Sequence, residues 1–335
     1  MTKTYYIYGI FTLPSQINCC ADVMGQEFPI VLGNIKGKII FPSLSKMLNK
    51  DTKSEDLLKM IPGPICPIQK NWYNEQDSFG KTDWGQTLTF PDCNSIIDKI
   101  LLVFDIAENN NSIESEEIYA NILNWVDRFY DIKELLTNTI SHIKSEKPTV
   151  FVKDFGFSST GLQLYLDKET DLLPIPKESD TKHIITLSMG GNYLNKDTYK
   201  EIINLTNKNK DIKFDYKYYL EGKRAFYNED YIKAVTICAP ALEFVLSQSL
   251  EAFCKSKGIY FLNKLRKKYR MLGGMFELAE DIKMPLPTSD YKTKLLELRN
   301  KVIHKGYKPT INEVNDYLKD IKLYIDTLSP SLLEN

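Results

Sequence analysis

Residues 295–307 read Leu-Leu-Glu-Leu-Arg-Asn-Lys-Val-Ile-His-Lys-Gly-Tyr. Leu295, Leu298 and Val302 recur at helical spacing, as do Leu296 and Ile303, so the stretch is expected to form a helix with an apolar face. Gly306 marks its end, with Lys305 in the last turn. The stretch carries Arg299, Asn300 and, five positions after the arginine, His304, in a chain with three histidines and five arginines. On an ideal helix five residues turn through roughly 500°, which leaves Arg299 and His304 about 140° apart. Aiming both at one atom needs a helix that loosens before the histidine, or a second copy of the helix across a two-fold axis.

These residue types suit the cleavage of RNA by its own 2′-hydroxyl. Negative charge builds on a five-coordinate phosphorus, and a planar guanidinium can hold two of its oxygens at once. A histidine can take the proton of the 2′-hydroxyl or give one to the leaving 5′-oxygen. Asn300 can orient either group. The other reading is a surface arginine and a helix-terminal histidine with no task. No cofactor is expected, and no metal: His142 and His183 stand alone in sequence, and the six cysteines (19, 20, 66, 93, 238 and 254) form no Cys-x2-Cys pair. Leu187-Ser188-Met189-Gly190-Gly191 lacks the glycine spacing of a dinucleotide or phosphate loop and reads as a strand-to-helix turn. The chain has no Gly-x-Ser-x-Gly elbow.

Arg-Asn-Lys-Val-Ile-His resembles the Arg-x4-His motif of HEPN-domain ribonucleases, and the resemblance extends over roughly residues 212–328. Tyr231 to Leu250, with small residues Ala234, Ala239 and Ala241 and an inward Glu243, looks like that family's first long helix. The resemblance implies a metal-independent endoribonuclease, with Arg299, Asn300 and His304 as catalytic residues. Its site would lie at a homodimer cleft where two copies of the motif face each other through the C-terminal helices. Two-part chains of this kind resemble bacterial toxins and abortive-infection effectors acting against phage. In these the extra domain senses a trigger or holds the nuclease in check, and an inhibitory partner or a phage-derived trigger is the further contact implied. Tyr307 invites comparison with HEPN toxins that carry Arg-x4-His-x-Tyr, although here the tyrosine stands one position later. Glu243 reads either as a support for the arginine or as an ordinary carboxylate on a partly buried face.

The whole chain has 335 residues and a formal net charge of −1. That length allows two domains with ample cores. That charge rules out a nucleic-acid coat protein, so RNA contact has to come from a local patch. Residues 255–270 supply one: Lys255, Lys257, Lys264, Arg266, Lys267, Lys268 and Arg270 with no acid among them, interleaved with Tyr260, Phe261 and Tyr269. This pattern suits a surface that tracks the backbone of single-stranded RNA and stacks its bases, or else a solvated helix face. Residues 1–10 show no basic segment followed by an apolar run, and no membrane span is visible in the sequence, so a cytoplasmic protein with free core thiols is expected.

The fold class expected is α+β: an N-terminal mixed domain over residues 1–210, with a sensing or regulatory task, and an all-α, HEPN-like nuclease domain over residues 211–335. Strands are expected at 4–12, closed by Pro14, at 28–32 and 38–41 as a hairpin, and at 87–90, 100–106, 149–152, 162–166 and 183–187. Residues 61–67 hold three prolines and read as loop. Helices are expected at 118–143 and 196–205, then at 217–226, 231–255 with a kink or irregular turn at Pro240, and 260–281 broken at Gly273-Gly274. Ser289 or Asp290 should cap the motif helix, and Pro309-Thr310 should open a last one reaching Leu328. The reading from another functional class is a non-catalytic regulator that binds a ligand or protein and uses the helical bundle only to dimerise.

Overall fold

The structure is a computed structural model that describes residues 4–33, 35–41, 60–62, 86–89, 94–107, 115–138, 162–168, 171–174, 193–259, 269–288 and 290–334. It is α+β, and divides into two compact units: residues 1–136 with 141–209, and residues 137–140 with 210–335.

The first unit is built on an antiparallel sheet. Its strands are β1 (Thr4–Cys19), β2 (Glu27–Leu32), β3 (Ile35–Ile40), β4 (Met60–Pro62), β5 (Gln86–Thr89), β6 (Ser95–Ala107), β7 (Leu162–Lys168) and β8 (Asp171–Pro174). The main order is β2-β3-β6-β1-β7-β8, with β5 also on β6 and β4 on β5. β2 alternates strictly, with Phe28, Ile30 and Leu32 buried, so one face meets the core. It sits at the end of that order, where Pro29 costs the ladder least. The hairpin from β2 to β3 forms as expected, pairing Leu32 with Ile35. In β6 the run Ile100 to Phe104 is buried at every position, which places both of its faces in the core. Helices α1 (Ser115–Thr137) and α2 (Lys196–Asn207) belong to this unit. Asn207 joins three elements: its Oδ1 accepts from Val31 N and Trp125 Nε1, both at 3.1 Å, and its Nδ2 donates to Pro29 O at 2.8 Å.

Two expectations for this unit are corrected. Pro14 does not close the first strand: β1 runs on to Cys19, with its register against β6 shifting between Thr12 and Ile17, an irregularity that accommodates a residue with no N–H. Ile61 and Pro62 are strand rather than loop, because β4 pairs with β5. The strands expected at 149–152 and 183–187 lie outside the described residues, as do Cys66, Cys93, His142 and His183.

The second unit is helical: α3 (Phe214–Tyr227), α4 (Tyr231–Ser256), α5 (Leu272–Asp281), a π-helical turn (Lys292–Glu297) running into α6 (Leu298–Lys305), and α7 (Ile311–Leu328). α4 is central, packing on α3, α5, α6 and α7. Its length and composition alone would also suit a membrane crossing. In the bundle its Ala234, Cys238, Leu242, Val245 and Leu246 are buried instead among helices. It runs without interruption through Pro240. Phe276 of α5 stacks on Tyr291 with ring centroids 4.1 Å apart and meets Tyr324 of α7 edge-on at 5.7 Å. Gly273 and Gly274 do not break a helix; they lie in the first turn of α5. Thr310 caps α7 in a reciprocal box with Glu313, as its sequence directs.

Candidate functional site

The motif helix is held at both ends by local chemistry. Gly306 ends α6 in the left-handed conformation, φ 62°, and so spares any side chain that strain. Before α6, Tyr291 is buried against Phe276 and the chain takes a π turn over Lys292–Glu297. A π turn adds one residue to a helical repeat and so rotates the side chains of the next turns about the axis. The loosening expected between Arg299 and His304 therefore lies upstream of both; from Arg299 to His304 the helix is regular.

Arg299 reaches back to α4. Its Nη2 donates to Glu243 Oε1 at 3.2 Å, and its Nη1 donates to Asn300 Oδ1 at 3.0 Å. The arginine side chain is 14% exposed and the glutamate 34%. A guanidinium has five N–H donors. Two are engaged, and the buried Nε has no hydrogen-bond partner among the described residues. Asn300 and His304, four positions apart, share one face of α6. Asn300 thus draws the guanidinium toward its own side of the helix.

Arg299, Asn300, His304 and Lys305 line one cavity of about 350 Å³. Its other wall is Met271, Leu272 and Gly273 at the start of α5 with Leu296 of the π turn. Among the described residues no acidic side chain lines it. Sequence reading missed the α5 wall, whose one visible mark is Gly273, which has no side chain to fill the space. Arg299 and His304 thus border the same cavity, whose exposed lining is mostly apolar, and an anion at its edge would have both side chains within its surroundings.

The other expected residues take different places. Glu243 meets Arg299 but does not line the cavity. Tyr307 lies away from the cavity wall: its hydroxyl donates to both oxygens of Glu313, 3.0 and 3.1 Å away, and this bond raises its pKa. The Glu313 carboxyl is correspondingly lowered, chiefly by the Thr310 backbone N–H and then by the hydroxyls of Thr310 and Tyr307. Of the basic run, Lys255, Lys257 and Arg270 are exposed, with Lys255 paired to Glu251 at 2.9 Å; Lys264, Arg266, Lys267 and Lys268 lie outside the described residues. Cys19, Cys238 and Cys254 are free and buried; burial pushes the Cys19 thiol up to about 12. Among the described residues no group of three or more His, Cys, Asp or Glu side chains is placed to hold a metal ion.

No family model, no curated protein and no solved structure matches this chain.

Proposed function

We propose that the helical unit is a metal-independent endoribonuclease of the HEPN type, and that the whole chain is a cytoplasmic toxin or abortive-infection effector whose first unit senses a trigger or binds an inhibitor. One observation carries the reading: Arg299, pinned by Glu243 and Asn300, opens onto the same cavity as His304. A bundle needed only for packing has no use for an arginine, an asparagine and a histidine bordering one cavity whose described lining carries no acid.

Each group has a part in the chemistry. The substrate's 2′-oxygen attacks the adjacent phosphorus while its proton leaves to a base. The bond from phosphorus to the 5′-oxygen breaks, and that oxygen takes a proton. The products carry a 2′,3′-cyclic phosphate and a 5′-hydroxyl. Arg299 holds the charge that grows on the equatorial oxygens, where its free N–H groups gain most in the transition state. His304 transfers one of the two protons. Asn300 fixes the guanidinium plane. A second protomer, paired through the C-terminal helices, supplies the facing copy of the motif.

The test is incubation of purified full-length chain with total RNA, wild type against Arg299→Ala and His304→Ala. Cleavage by the wild type alone supports the reading. Equal behaviour of all three removes it.

A further inference from the structure

We infer that the cavity beside Arg299 seats a single nucleotide of the substrate, its base on the wall formed by Met271, Leu272 and Leu296 and its phosphate at the rim of Arg299, His304 and Lys305. The inference rests on the nuclease reading and names the unit of RNA that the site grips.

The cavity is divided in character. One wall is apolar; the other carries Arg299, whose guanidinium is paired with Glu243 from outside the cavity, together with His304 and Lys305, and none of the described residues lining it is acidic. A ligand that satisfies both has a flat, weakly polar body joined to an anion. Inorganic phosphate alone would leave the apolar wall wet. A purely apolar ligand would strip water from the polar rim without pairing it. The volume of about 350 Å³ stands at the low end of the range of roughly 300–1,000 Å³ typical of small-molecule sites, enough for one base with its sugar and too little for a stacked pair.

The α5 wall is shaped for this use. α5 opens at Met271 with no side-chain cap and no acid in its first turn, so its dipole adds to the positive rim without an internal competitor. Met271 is 57% exposed although apolar, and a thioether adapts to the edge or face of a ring. At Gly273 an added Cβ would meet only Leu296 Cδ1, 4.0 Å away. A larger side chain at 273 therefore enters open cavity without striking backbone, and an ordinary helical residue there also favours the helix.

Gly273→Leu is the variant that tests it. Adenosine 3′-monophosphate, uridine 3′-monophosphate and inorganic phosphate are titrated calorimetrically into full-length protein. At least one nucleotide should bind about tenfold or more tighter than inorganic phosphate, because only a nucleotide covers the apolar wall. Gly273→Leu should erase that margin while leaving phosphate binding unchanged, with a melting temperature no lower than that of the wild type. Met271→Ala, at an exposed position, should reduce the margin several-fold. Equal affinities for nucleotide and phosphate in the wild type, or an unchanged margin in Gly273→Leu, overturn the inference even when the protein cuts RNA. Nucleotide binding that Gly273→Leu abolishes, in a protein that cuts no RNA, upholds the pocket and overturns the nuclease.

Discussion

Glu243 and Arg299, 56 positions apart, meet with Oε1 and Nη2 3.2 Å apart, and this contact fastens the motif helix to the central helix of the bundle. The pair is mostly withdrawn from solvent, so the carboxylate fixes the guanidinium more firmly than a surface partner would. Glu243→Ala should lower kcat for RNA cleavage about tenfold or more with a smaller change in KM, since a wandering arginine loses more of the transition state than of the ground state. Glu243→Gln keeps an acceptor at the same reach and should restore most of the rate. Steady-state kinetics on the three proteins checks this, and equal loss in Ala and Gln would mean that charge, not position, is what Glu243 supplies.

The approach of α3 to α4 gives a prediction about stability. A Cβ on Gly222 would lie 2.0 Å from Cys238 Sγ and 3.1 Å from Ala234 O. Gly222→Ala should destabilise the helical unit by about 1–3 kcal/mol through overpacking. Adding Cys238→Ala vacates the space, so the double variant should recover part of that loss. Urea unfolding of the four proteins closes the cycle, and strict additivity would contradict the contact.

Lys133, in α1, lies in the core of the first unit, and desolvation brings its pKa down from 10.5 to about 8. The folded state therefore resists carrying this cation. Its penalty is full below pH 8 and fades as pH rises to 10.5, where the unfolded chain also loses the proton. Wild type should gain about 2–3 kcal/mol relative to Lys133→Met between roughly pH 7 and pH 10. Parallel denaturation at the two pH values measures it; a constant difference would show that the lysine is charged in the fold throughout.

Assembly is the next expectation. Ile303, Tyr307 and Ile311 are exposed around the end of α6 and the start of α7. Pairing through the C-terminal helices should bury on the order of 1,200 Å² or more. Light scattering at micromolar concentration should then report twice the chain mass of 38.7 kDa, and Ile303→Asp should shift it toward one. Full cleavage activity from a strict monomer would contradict a site shared between protomers.

The sequence made the secondary structure legible where a local rule decides it. Phe28, Ile30 and Leu32 alternate, Thr310 and Glu313 carry their own cap, and Gly306 ends a helix by backbone conformation alone. Arg299 and His304 were legible as a candidate pair because two scarce residue types fall five positions apart, with Asn300 beside the arginine. The features that stayed hidden depend on partners distant in sequence. β1 continues past Pro14 because β6 goes on pairing with it from Ile17 to Cys19. Nothing in Lys-Thr-Lys-Leu-Leu-Glu marks a π turn, since no glycine or proline stands in it and the extra residue is accommodated by packing. The glycines at 273 and 274 read as a break by composition, whereas the bundle absorbs them into a helix, Gly273 facing the cavity and Gly274 lying against the Tyr269 backbone.

The measurement that bears most directly on the central claim is cleavage of an RNA carrying a single 2′-deoxy substitution 5′ to a mapped scissile phosphate, in excess EDTA. The account predicts that this one bond survives while neighbouring sites are cut, that the cut ends carry 2′,3′-cyclic phosphate and 5′-hydroxyl, and that Arg299→Ala and His304→Ala cut nothing. Normal cleavage at the deoxy position would contradict it, because the attacking oxygen would then have come from somewhere other than the RNA itself.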